Sequence, residues 1–111
     1  MSRPRLSAPA SALVRVLLRR SNLRADRILL THCLSTEWRS LTFAGERHQL
    51  GFHITGDDAL AQASALVDGI EEADLPIGGG GFVADIAHTG ALVTQDDGSV
   101  LVELEALTLE D

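Results

Sequence analysis

Every lysine or arginine charge in this chain lies within its first 47 residues. All nine are arginines, between Arg3 and Arg47, whereas residues 49–111 carry thirteen of the sixteen Asp and Glu and neither lysine nor arginine. Residues 1–48 therefore net +6 and the remainder −13, for −7 overall. Halves of opposite sign complement each other within one molecule or across a homo-oligomer, where they set register and orientation more than raw affinity. The other use of such an arginine-rich segment is contact with an external polyanion, nucleic acid or anionic lipid. An overall −7 repels phosphate, and no series of stacking aromatics accompanies the arginines, so nucleic acid is not the expected partner.

At 111 residues, with 45% apolar and 23% charged positions, the chain has the profile of a single soluble domain. Roughly two-thirds of its extended surface would be buried on folding, enough for one core. The sequence contains no lysine and no tyrosine, which removes Schiff-base lysines, the lysine-bearing phosphate loop and tyrosine nucleophiles. Cys33 is its one cysteine, so an internal disulfide, a CxxC pair and a cysteine-rich zinc site are excluded, and a reducing, cytoplasmic setting is expected. The longest apolar run, Ala12 to Leu18, is broken by Arg15 and falls far short of the roughly 18 residues of a membrane span. The arginine-rich N-terminus is read as part of the mature protein rather than as a targeting segment.

Residues 1–8, with Pro4, read as a loose tail ahead of a single α+β domain over 9–111. Pro9 suits the start of a helix after Ser7 or Ala8, and Leu13, Val14, Leu17 and Leu18 recur at helical spacing up to Ser21 and Asn22. Residues 27–34 read as a strand that breaks at Ser35 and Thr36. Gly45-Glu46 between Trp38–Ala44 and Arg47–Thr55 suits a type II′ hairpin turn, which pairs Leu41 with Leu50, Phe43 with His48, Arg39 with Phe52 and Trp38 with His53. Leu41, Phe43, Leu50, Phe52 and Ile54 then line the core, and Trp38, Ser40, Thr42, Gln49, Gly51 and His53 the opposite face.

A second helix, capped by Thr55 or Asp57, is predicted to run to about Ala73, burying Ala59, Leu60, Ala63, Leu66, Val67 and Ile70. Gly78–Gly81 read as a linker, because their helix-then-strand order is the reverse of a phosphate cradle. Strands follow over Phe82–His88, Ala91–Thr94 and Ser99–Leu109, with Gly90 marking a bulge. A two-residue turn at Asp97-Gly98 pairs Val93 with Val102; a three-residue loop over Asp96–Gly98 changes the partners.

This element order, without parallel βαβ repetition, predicts an α+β two-layer sandwich: a mainly antiparallel sheet of four to six strands with two helices on one face. His48 and His53 leave opposite faces of one strand, His32 and Cys33 point apart, and no HExxH occurs, so neither a metal site nor a cofactor is expected. Cys33 reads as a small buried hydrophobe, and Ser40 and Ser64 lack a GxSxG context. The candidate ligand-binding or interface residues are Trp38, Ser40, Thr42, Arg47, Gln49 and His53, with Asp85, Glu103 and Glu105 able to join a related face. The leading reading is a non-catalytic domain that forms a homodimer through a sheet face or edge. The alternative is a small-molecule or minor enzymatic site using Trp38 and His53 with Asp85 or Glu103 as its acid.

Overall fold

Ser7 and Pro9 set the first element. In the computed structural model, which describes residues 5–111, the Ser7 hydroxyl accepts from the Ala10 N–H and α1 runs Ala8–Ser21. It ends where Asn22 adopts the left-handed conformation and its N–H bonds the Arg19 carbonyl. Part of the segment read as a tail thus belongs to the cap and first turn, while residues 1–4 lie outside the described residues.

Five antiparallel strands follow: β1 Ile28–Arg39, β2 Ala44–Ile54, β3 Gly81–His88, β4 Val93–Thr94 and β5 Val100–Glu110. Their order is β1-β2-β5-β3, with β4 also paired to β5. The chain is a compact α+β fold built on this sheet. β5 is central: its alternate residues Val100, Val102, Leu104 and Ala106 are all buried. They share one cluster with Leu50, Phe52 and Ile54 of β2, with Leu13 and Leu17 of α1, and with Ala63 and Leu66 of α2 (Ala59–Val67). By register those strand residues occupy a single face, so α1 and α2 both cover that side of the sheet.

The hairpin departs from the sequence expectation. Its turn is Ser40–Phe43, not Gly45-Glu46, and Trp38 pairs with Gly45 and Arg39 with Ala44. The Ser40 hydroxyl accepts from the Thr42 and Phe43 N–H groups, and the Ser40 N–H bonds the Phe43 carbonyl, so serine closes a turn that needs no glycine. Leu41, at 105% exposure, and Phe43, at 44%, stand outside the core, while Leu50, Phe52 and Ile54 are inside as expected. β1 does not break at Ser35; its irregularity lies between Leu30 and His32, leaving Thr31 unpaired.

α2 is shorter than predicted. It stops at Val67, Gly69 takes φ 66°, and a separate 3-10 turn, Ile70–Glu72, buries Ile70. Its N-cap is Asp58, without a side-chain cap bond, and Leu60 is exposed. The β4–β5 turn is the three-residue loop, with Gln95 N–H bonded to Ser99 O and Val93 paired with Leu101 rather than Val102. β3 and β4 are separate strands around Gly90, and the bulge sits between Val83 and Asp85.

The charge halves meet within the molecule. Arg27 on β1's approach bonds Asp58, Arg47 reaches Glu105, and Arg20 bonds the Leu66 and Asp68 carbonyls at the end of α2.

Candidate functional site

The side of the sheet away from the helices is uncovered, and pairing places its residues in rows across the strands. At the hairpin end, Trp38, Gly45, Leu109 and Phe82 share a row. Next come Thr36, Arg47, Leu107 and Asp85, then Leu34, Gln49, Glu105 and Ala87, then His32, Gly51 and Glu103, and at the far end Leu29, His53, Leu101 and Val93. The end rows are apolar apart from His53, and the charged side chains are confined to the middle rows, beside Leu34, Leu107 and Ala87.

Leu29, Leu34, Phe82 and Val93 are exposed there at 64%, 58%, 37% and 50%. Phe82 stacks edge-on against Phe43 of the turn, with ring centroids 6.4 Å apart. In the middle, the His32 ring lies over Gly51, where an added Cβ would fall 2.3 Å from its Cε1. Glycine lets the imidazole cross β2 and reach Glu103 on β5 at 3.0 Å. Arg47 stands 3.5 Å from Glu105. A shallow notch of about 400 Å³ opens between His32, Gln49, Thr89 and Glu103.

The sequence-derived candidates divide. Trp38, Arg47, Gln49 and His53 lie on this face, but Ser40 and Thr42 belong to the turn. Trp38 does not face His53: its partner Gly45 is eight residues from His53 on β2, or about 27 Å, so one small molecule cannot engage both. Asp85, Glu103 and Glu105 do share the face, and Glu105 meets Arg47 as the charge pattern suggested. Leu29, Leu34 and Phe82 were not singled out beforehand; Leu34, next to Cys33, carries no signal to separate it from a core leucine.

On the covered side, His48 is buried between strands, with Ser35 Oγ 2.7 Å from Nδ1 and Thr108 Oγ1 2.8 Å from Nε2. In either neutral tautomer both ring nitrogens are partnered, one hydroxyl accepting from the ring N–H and the other donating to the unprotonated nitrogen. A serine hydroxyl on an imidazole is the contact of acyl-transfer chemistry. Here a neutral hydroxyl, not a carboxylate, backs the ring, and burial holds the His48 pKa below its ordinary 6.5 against a smaller opposing pull from Glu46. Burial likewise pushes the Cys33 thiol up, keeping it protonated at neutral pH. His88 has its Nε2 buried without a hydrogen-bond partner. Near the ends of β1 and β5, a cleft of about 940 Å³ is bordered by Pro9, Arg15, Glu37, Arg39 and Glu110.

No group of His, Cys, Asp and Glu among the described residues is arranged to hold a metal ion. No helix among them is long and apolar enough to cross a membrane. No protein-family model matches the chain, and no curated protein matches it in sequence.

The buried imidazole gives a pH dependence. Below pH 6.5 the unfolded chain binds a proton that the folded state, with its lowered His48 pKa, does not, so stability falls as pH drops toward that lower value and is unaffected above 6.5. Urea midpoints at pH 7.5 and 5.5, at one protein concentration, should drop for the wild type and drop less for His48→Gln. Equal drops would assign the effect to another group.

Proposed function

We propose that this is a non-catalytic domain that self-associates as a homodimer, using the uncovered sheet face. What supports the reading is the arrangement of that face: end rows apolar apart from His53, and between them carboxylates beside an arginine and a histidine. Such a pattern is complementary to a copy of itself, whereas a polyanion would meet Asp85, Glu103 and Glu105 there. The size is suitable too. Four strands about 4.8 Å apart and about 35 Å long present on the order of 650 Å² in projection, close to the roughly 800 Å² per partner of a standard interface once side-chain relief is counted.

The free edge of β1 is the less favourable route, because the Thr31 bulge and the charged Glu37 and Arg39 obstruct strand addition.

Light scattering of the wild type at about 100 µM should give the mass of a dimer. Leu34→Glu places a carboxylate in the middle of the face and should weaken association at least tenfold, about 1.4 kcal/mol. Leu60→Glu changes an equally exposed leucine on α2 and should leave the dimer intact. A monomeric wild type, or equal loss in both variants, would overturn the reading.

A further inference from the structure

Two symmetric ways of stacking this face on itself are available, and the register distinguishes them. Sheets packed face to face keep their strands within about 30° of alignment, about 10 Å apart. A two-fold axis lying between them runs either along the strands or across them. We propose that it runs along the strands, between β2 and β5, so that β2 of each copy lies over β5 of the other. The inference rests on the self-association proposed above and fixes its orientation.

An axis across the strands reverses the rows about the middle one. Glu105 of one copy would then face Glu105 of the other, Ala87 would face Ala87 across a void, and Leu107 would lie on Glu103. Like charges brought together out of water are unfavourable, and this contact is what separates the two orientations, since Leu107 meets a charged residue in both.

An axis along the strands keeps each row opposite itself but exchanges strands. Trp38 of one copy then lies on Phe82 of the other, Leu29 on Val93, His53 on Leu101, and Leu34 on Ala87, a large side chain over a small one. Gln49 meets Glu105 and can donate to it. Glu105 of the second copy comes beside Arg47 of the first, adding a carboxylate to the one Arg47 already approaches at 3.5 Å. Glu103 of the second copy comes over Gly51, where the His32 ring of the first lies. Arg47 and His32 thus each gain a carboxylate from the second copy, Asp85 comes over Thr36, Leu107 lies on Arg47, and no carboxylate meets its own counterpart.

The orientations differ most in where the turns go. With the axis along the strands the two Ser40–Phe43 turns lie at the same end of the dimer, about 15–25 Å apart; with the axis across, they lie at opposite ends, about 40 Å apart. Spin labels on Thr42→Cys in a Cys33→Ser background, read by pulsed dipolar spectroscopy, separate these values. Asp96→Cys, in the exposed turn at the other end, makes the same distinction should the first variant fold poorly. A short distance at either position is the expected result. A long distance in a dimeric sample overturns the orientation while leaving self-association standing; a monomeric mass with no dipolar modulation overturns the self-association itself.

Discussion

Phe52→Ala is expected to destabilise the fold by about 3–5 kcal/mol, the cost of removing a large buried ring whose surroundings relax only in part. Phe52 is fully buried on β2, flanked across the strands by Leu30 and Val102, beneath the layer formed by Leu13, Leu17 and Leu66. The neighbours that would have to close the gap are held in β-ladders on both sides, so the cavity persists. The melting temperature should fall by roughly 15–25 °C. Phe52→Leu retains much of the volume and should lose less than half as much. A fall under 5 °C for Phe52→Ala would mean that the sheet is not packed on the helices at this position.

Gly45→Ala is the second large effect, and it is out of proportion to the one methyl group added. A Cβ at Gly45 would fall 1.9 Å from the Thr108 carbonyl oxygen and 2.9 Å from the Leu109 Cα, both backbone atoms of the central strand. Neither can rotate aside, so β2 and β5 must separate locally, at a cost of about 3 kcal/mol, the upper part of the range for overpacking. Gly51→Ala is the informative contrast. Its closest neighbours are the side chains of His32 and Thr31, which can swing away, so its expected loss is smaller and falls on the His32–Glu103 pair. Thermal melts of the two variants, with hydrogen exchange at Glu46 and Thr108, test this; equal destabilisation would show that β2 and β5 do not approach closely at Gly45.

The buried imidazole and the open face have different consequences. Ser35, His48 and Thr108 form a satisfied polar link through the covered layer, and their sensitivity is to acid rather than to a partner. The residues free to meet another molecule are on the other side, where the leucines and Phe82 are left to solvent.

Alternation along residues 44–54 was readable because a strand has a side-chain period of two. Leu50, Phe52 and Ile54 inward, Gln49 and His53 outward, follow from the sequence alone. The Ser7 cap and Pro9 likewise announce α1 through local chemistry, and the absence of βαβ repetition gives the α+β class. The partners of each strand were not readable. Moving the turn from Gly45-Glu46 to Ser40–Phe43 slides Trp38 from His53 to Gly45, a shift of eight residues. Because the shift is even, Trp38 and His53 share a side without sharing a site, whereas Leu41 and Phe43, predicted to point inward, pass into the turn and leave the core. The sequence determined the α+β class, the start of α1, the sides of β2 and the opposing charges of the two halves. The tertiary structure alone decided that β5 enters between β2 and β3, because strand order depends on which surfaces bury one another over long separations, and no local pattern encodes that.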